Sequence, residues 1–300
     1  MNTILYRIAG IQFLFILGHE IEIRHRFRPF LTAPNSSMNQ EVCYRVCFTE
    51  KDDLSMPAIP SAYEGDCFLV KEKQPETRYY YPDDWHKDDW YAKTIIDLNE
   101  KKISVFYKAV GFLHLNEDAN MFFHIGWEQI LMQEGRMILH ACCMRTDFGG
   151  LLFSGVSGIG KSTQGRLWEK YENALMINGD RPIVYRGSVK WQACGSPYAG
   201  SSRCYLAEEV PVTAIIMLDQ SNKCTIKRLS EAEAFRRIYA QLIVCDWNSG
   251  YMEKLLECLE KLVSEVPVYY MPCTPDQQAV ALLKATISQQ LKEERENSQL

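Results

Sequence analysis

The stretch Gly155-Val156-Ser157-Gly158-Ile159-Gly160-Lys161-Ser162 constrains this chain more than any other. It fills every fixed position of G-x-x-x-x-G-K-[ST], and each of those positions has a physical task. Glycines let backbone N–H groups turn inward around an anion. The lysine brings a cation to the terminal phosphates of a nucleotide, and a serine hydroxyl suits Mg²⁺. The flanks fit as well: Leu151-Leu152-Phe153 reads as a short buried strand and residues 163–171 as a helix. Strand, loop and helix in that order put the positive end of the helix dipole beneath the phosphates. The expected nucleotide-binding residues are therefore Gly155, Ser157, Gly158, Gly160, Lys161, Ser162 and Thr163, with ATP and Mg²⁺ as ligands.

A second acidic feature follows at a suitable distance. Ala174-Leu175-Met176-Ile177-Asn178-Gly179-Asp180 is an apolar strand ending in a carboxylate, eighteen residues past Ser162 with one helix between them. A carboxylate at such a strand end holds Mg²⁺ directly or through water, so Ser162 and Asp180 are the expected metal ligands. Met137 to Cys143 reads as one core strand. Paired with the strand before the glycine loop, across a turn at Asp147-Phe148-Gly149-Gly150, it brings His140 to the phosphate end of the sheet. Residues 195–203 form a small-residue loop ending in Arg203. Two readings of it stand side by side: a mobile loop whose cation approaches the nucleotide or acceptor, and a plain surface turn.

Length and composition bound the rest. Three hundred residues make one large domain or two smaller ones, and 47% hydrophobic with 24% charged residues is ordinary for a core-forming chain. A net charge of −5 gives no basic field for nucleic acid. The eleven cysteines sit mostly in apolar runs such as Ala141-Cys142-Cys143-Met144, which reads as buried reduced thiols. Cys43 and Cys47 lack a second pair at zinc-like spacing. The apolar run 8–18 is interrupted by Gln12 and is too short to cross a bilayer, so it is expected to be a buried strand of a cytoplasmic protein without membrane association.

Residues 1–120 read as a β-rich region, and 121–300 as an α/β nucleotide-binding domain. In the first, residues 21–28 alternate and place Arg24, Arg26 and Arg28 on one strand face, most simply its solvated side. Strands are expected near 41–49, 67–73, 103–107 and 112–115, with a polar loop at 35–39 and an exposed aromatic-acidic loop or hairpin at 79–90. In the second, one helix is expected over 122–134 with Gly135 ending it, a hairpin over 182–193 turning at Gly187-Ser188, and a central strand over 212–218. A capping box at Ser230 to Glu233 opens a helix to about Cys245, and another helix follows over 253–263. A short strand over 267–271 then leads to a long final helix capped by Thr274.

Taken together, Leu139-His140-Ala141, the run 155–163, Ile177-Asn178-Gly179-Asp180-Arg181-Pro182, Gly195-Ser196-Pro197 with Gly200, Val266-Pro267-Val268-Tyr269 and Cys273 resemble the HPr kinase/phosphorylase-like family. Its shorter, HPr-kinase-related or peptide serine kinase relatives are the nearer likeness, over roughly residues 125–290. The resemblance implies a phosphoenolpyruvate carboxykinase-like P-loop core, largely β and flanked by helices. It also implies an ATP-dependent kinase acting on serine or threonine of a small protein or peptide, to which a homo-oligomer would be compatible. In that frame Asp180 activates the acceptor hydroxyl, His140 sits beside it, and Arg203 takes the place where relatives carry a lysine. Relatives usually show two adjacent acids after the asparagine, and here the first place is Gly179. Loss of that acid opens the alternative of a nucleotide-binding regulatory protein without turnover; a carboxykinase-like lyase would need a longer substrate-binding region.

Overall fold

The computed structural model of the protein describes residues 2–18, 23–25, 27–32, 42–81, 90–111, 115 and 117–297. Among them are two sheets and six α-helices, a mixed α/β architecture. The chain divides into two compact units, Met1–Gln133 with Cys245–Tyr251, and Glu134–Val244 with Met252–Leu300. Among the described residues, no helix is long and apolar enough to cross a membrane.

The first unit carries an eight-stranded sheet. Its strands are β1 (Asn2–Ile8), β2 (Ile11–Leu17), β3 (Val42–Glu50), β4 (Tyr63–Glu64), β5 (Phe68–Lys73), β6 (Glu76–Tyr80), β7 (Ala92–Asp97) and β8 (Lys102–Tyr107), in the order β1-β2-β3-β8-β7-β6-β5-β4. Period-two alternation buries Ile11, Phe13, Phe15 and Leu17. Phe122 on helix α1 (Asp118–His124) packs over them, with ring centroids 5.3 Å from Phe13 and 5.0 Å from Phe15.

Several local expectations change here. The run from Ile8 is not one strand, because Ala9 and Gly10 turn with positive φ and start the β1–β2 hairpin. The arginine stripe does not form among the described residues: Arg24 bridges to Glu117, and Arg28 opens a 3₁₀ turn, Arg28–Phe30, helped by Pro29. Tyr79 and Tyr80 lie buried on β6 rather than in an exposed loop, and Tyr81 beside them is buried too. Expectations for residues 21–22, 26, 35–39, 82–89 and 112–114 fall outside the described residues. The single helix expected over 122–134 is two, α1 and α2 (Trp127–Gln133). Gly126 breaks it at φ +62°, where a Cβ would lie 2.4 Å from Ile96 Cδ1.

Cys245–Tyr251 completes this unit. Trp247 Nε1 donates to Glu76 Oε2 at 3.0 Å, and Asn248 Nδ2 donates to Gln129 Oε1 at 3.1 Å. Arg78 is buried between Glu76 and Glu128, with ion pairs of 2.6 and 2.7 Å, beneath the Phe68 ring. Burial is the largest single influence and opposes its charge, but Glu128, Tyr80, Glu76 and Cys245 together outweigh it, so its pKa moves well above the ordinary arginine value.

The second unit carries a nine-stranded sheet of β9 (Arg136–Ile138), β10 (Ala141–Thr146), β11 (Gly149–Ser154), β12 (Leu175–Asn178), β13 (Ile183–Arg186), β14 (Trp191–Cys194), β15 (Glu209–Gln220), β16 (Lys227–Arg228) and β17 (Val268–Cys273). Twelve-residue β15 is its spine, parallel to β11 and β17 and antiparallel to β14. The β10–β11 hairpin forms as expected, with Ala141 opposite Ser154. The strand expected over 137–143 is interrupted, since β9 pairs with β13 while β10 pairs with β11 and β12. Leu139 and His140 lie at the crossing, bonded to the chain after α4 (Glu231–Tyr239): Leu139 bridges Leu242, and His140 N donates to Gln241 O at 2.8 Å. That pairing ends α4 at Tyr239, well before Cys245, because those backbone groups are engaged elsewhere. Ser230 and Glu233 do form the reciprocal capping box.

Helix α3 (Lys161–Glu172) follows the glycine loop and packs on β10, β11 and β12, with Trp168 fully buried. Helix α5 (Ser249–Glu265) precedes β17, and α6 (Gln277–Asn297) closes the chain. Asp276, not Thr274, caps α6: its Oδ1 accepts from Gln278 N and Ala279 N, and the Thr274 hydroxyl instead donates to Asp276 Oδ2. A carboxylate answers two orphan N–H groups and the helix dipole at once, which a threonine hydroxyl does less well.

Candidate functional site

The glycine loop leaves β11 at Ser154 and becomes helical at Lys161. Gly158 and Gly160 hold φ of +78° and +110°, which an L side chain adopts only under strain, and a Cβ on either would meet nothing within 4 Å. The loop therefore faces open space. Gly160 offers no side-chain cap to α3, so the first-turn N–H groups are not answered by a cap there. This is a positive-φ glycine cradle at the N-terminus of a twelve-residue helix, and it fits a chain of phosphates. Lys161 is 7% exposed, and its ammonium donates to Gly155 O at 3.0 Å and Val156 O at 3.1 Å. Desolvation lowers its pKa, while the charge of Asp180 pulls the other way.

Asp180 lies in the turn that follows β12. Fully buried Asn178 sets it there: Oδ1 accepts from the backbone N–H of Asp180 at 3.0 Å and of Arg181 at 2.7 Å. The Asn178 amide nitrogen donates to Ser196 O at 3.0 Å and Tyr198 O at 3.1 Å, tying this turn to the 195–198 loop. Ala141 N donates to Asp180 O at 2.9 Å, so the turn is also fixed to the start of β10. His140 Nε2 lies 3.3 Å from Asp180 Oδ1, and Arg181 Nε lies 3.4 Å from Oδ2. The hydrogen bond from His140 lowers the Asp180 pKa, against the effect of burial, and the charges of His140, Arg181 and Lys161 add to it. The carboxylate is thus held ionised. The backbone of His140 is itself fixed, with its carbonyl accepting from Ser154 Oγ at 2.8 Å, one residue before the glycine loop.

The 3₁₀ turn Gly200–Ser202 presses on this carboxylate. A Cβ at residue 200 would lie 2.8 Å from Asp180 Cγ; a Cβ at residue 179 would lie 2.0 Å from Ser202 Oγ and 2.4 Å from Ser202 Cβ. The space a side chain at 179 would need is therefore held by Ser202. Its hydroxyl donates to Ala199 O at 2.6 Å and accepts from Cys204 N at 3.2 Å. Arg203 follows in the left-handed region at φ +53°, with its side chain exposed.

The fold thus pairs His140 with Asp180, keeps Lys161 near enough for its charge to act on that carboxylate, and leaves the Arg203 side chain exposed. Ser162 is half-buried, while Ser157 and Thr163 are exposed. Asn178, Ser202 and Gly200 shape the site, and sequence reasoning gave them no role there. A polar residue at the end of the apolar run 174–177 was the signal available for Asn178.

On the Thr163 side of α3, a cavity of about 610 Å³ opens between the loop, the end of β15 and the link from β17 to α6. Leu218, Ile159, Pro275 and Cys273 supply apolar wall, and Gln220, Ser221 and Asn222 supply polar groups.

No protein family model matches the chain, and no curated protein sequence matches it. Among solved structures it is similar to the Hpr(Ser) kinase/phosphatase from Coxiella burnetii, with 14% identity and a TM-score of 0.33 over 54% of this chain and 95% of that one.

Proposed function

We propose that this chain is an ATP-dependent phosphotransferase passing a γ-phosphate to a hydroxyl, most simply a serine or threonine of a small protein or peptide. Its second unit would be the nucleotide-binding domain, built on a phosphoenolpyruvate carboxykinase-like P-loop core. The observation that carries this reading is geometric: a glycine loop with positive φ at Gly158 and Gly160 opens a helix at Lys161, and His140 Nε2 lies 3.3 Å from Asp180 Oδ1 in the same unit.

ATP with Mg²⁺, when bound, supplies the transferable phosphoryl group and neutralises much of its charge. Lys161 and the loop N–H groups would hold the phosphates, and Ser162 and Asp180 are oxygen donors of the kind Mg²⁺ takes. Asp180 would accept the acceptor hydroxyl's proton, with His140 keeping the carboxylate ionised and oriented. Arg203 would meet charge developing on the transferred group from the rim. Positioning and electrostatics supply most of the acceleration in such chemistry.

A second reading is a nucleotide-binding regulatory protein without turnover. What favours it is the Ser202 side chain in the space of a second acid beside Asp180. The deciding experiment incubates the full chain with γ-labelled ATP, Mg²⁺ and small proteins or peptides encoded beside it. Label on an acceptor serine or threonine supports the kinase. ATP binding with neither transfer nor phosphate release on any acceptor leaves the regulatory reading.

A further inference from the structure

We infer that the aromatic surface at the β4 end of the first sheet docks a partner peptide through a basic segment, arginine or lysine set among apolar side chains. All of its residues belong to the first unit, so the inference stands apart from the phosphotransferase reading.

The sheet register builds the surface. Tyr63 on β4 pairs with Val70, two residues on from Phe68 on β5, so Tyr63 and Phe68 share a face, with ring centroids 5.5 Å apart. Phe68 in turn sits opposite Tyr80 on β6. Trp247, from the segment 245–251, reaches both, 4.1 Å from the Tyr63 ring and 6.0 Å from that of Phe68. Phe123 of α1 lies 6.5 Å from Phe68 and 5.6 Å from Tyr80. Its helix neighbours Phe122 and His124 point into the unit and are buried, which leaves Phe123 39% exposed. Tyr63, Phe68 and Trp247 are half-buried. Large rings that touch one another and stay partly in water form a patch, where single exposed residues would mean nothing. It is wider than one side chain covers, which points to a segment of chain.

Charge selects the occupant. Glu64 follows Tyr63, Asp66 lies in the β4–β5 turn, and Asp246 precedes Trp247; all three are exposed. Burial first, and then the charges of Asp246 and Asp66, raise the Tyr63 pKa, with Arg78 opposing, so both carboxylates act on this ring. Arg78 itself is matched by Glu76 and Glu128 and does not cancel the acids at the surface. A guanidinium or ammonium arriving here meets aromatic rings and carboxylates together, each of which attracts it. An acidic segment meets like charge.

The test uses fluorescence polarisation on the full chain at about 0.15 M salt, where distant surface charges are screened. The probes are two fluorescein-labelled peptides, one alternating arginine with leucine and one alternating glutamate with leucine. Wild type should bind the first at least about tenfold more tightly than the second. Phe123→Ser should weaken binding of the arginine probe at least about fivefold, and Asp66→Lys with Asp246→Lys at least about tenfold. Glu293→Lys with Glu296→Lys on α6 changes net charge by the same amount and should leave affinity within about twofold. All five side chains are exposed, and urea midpoints near that of wild type show that the variants fold. The inference fails if wild type does not prefer the arginine probe, or if either patch change leaves its affinity intact. It fails too if the α6 change weakens binding as much as the patch change, since net charge alone would then account for it. A homodimer that Phe123→Ser dissociates in sedimentation would give the patch to a second copy of the chain and overturn the peptide reading.

Discussion

Gly179→Ala is the smallest change that tests how the Asp180 turn is built. Alanine in place of glycine ordinarily stabilises a protein by about 0.4–1 kcal/mol, through the unfolded chain, where the native backbone accepts it. Here the new methyl would stand 2.0 Å from Ser202 Oγ and 2.4 Å from Ser202 Cβ, so one of the two segments must move. Overpacking of this kind costs about 1–3 kcal/mol. Ser202→Gly alone should cost about 1 kcal/mol, because its hydroxyl makes two local hydrogen bonds. The double variant removes the collision along with the hydroxyl. It should be more stable than the sum of the singles implies, by at least about 1 kcal/mol. Urea unfolding of all four proteins, followed by tryptophan fluorescence, measures the coupling. Additivity within about 0.5 kcal/mol would refute the claim that Ser202 occupies the side-chain space of residue 179. Gly179→Ala should also slow turnover, because the turn that must give way is the one seated on Asp180.

Lys161→Ala should weaken ATP binding at least tenfold, or about 1.4 kcal/mol, since it removes the cation inside the loop; equal affinities in calorimetry would refute this. Arg203→Ala should lower kcat while leaving ATP affinity within about threefold, and a collapse of ATP binding would put Arg203 in the phosphate cradle instead. Asp180→Asn should keep ATP binding yet lose about 10²-fold or more in phosphoryl transfer, and a variant retaining a third of wild-type activity would remove Asp180 from the mechanism. Trp247→Phe keeps an aromatic ring, though a smaller one, and deletes the indole N–H bond to buried Glu76, so the first unit should lose about 1–3 kcal/mol; an unchanged melting curve would show that bond to be idle.

The parts of the fold that were legible in the sequence are those a local pattern determines. The glycine loop, the β10–β11 hairpin, the hairpin at Gly187-Ser188 and the capping box at Ser230 each depend on a few neighbouring residues, and each is present. What misled was pattern overridden by partners far along the chain. Met137 to Cys143 is apolar apart from His140, yet β9 and β10 pair with different strands, and bonds with Asp180, Pro182, Gln241 and Ile243 hold the break. The apolar face of 122–134 reads as one helix, but Gly126 must let Ile96 and Arg78 approach. Cys245–Tyr251 joins the first unit although it lies deep in the sequence of the second, and nothing local to those seven residues announces it.

The site shows the same division, and it bears on how Asp180 can act. Sequence order placed His140 and Asp180 near the loop, but not the reason their orientation is stable. Asn178 bonds the turn through both ends of its amide, Ser154 and Asp180 hold the peptide group between His140 and Ala141, and Gln241 holds the His140 N–H on the other side. The carboxylate therefore has little freedom to choose another partner, and its depressed pKa follows from the hydrogen bond to His140 first and from burial only in opposition. The sign for pH is then set. A depressed Asp180 contributes stability that is present above its ordinary value of 3.8 and is lost as pH falls through the lower folded value. The same ionised form is the one that accepts a proton from a hydroxyl, so the acid limb of kcat/KM should lie below the ordinary aspartate range. His140→Ala removes the largest lowering influence and should move that limb upward. An acid limb that stays in place in His140→Ala, with activity reduced, would mean that His140 serves the nucleotide or acceptor directly rather than through Asp180.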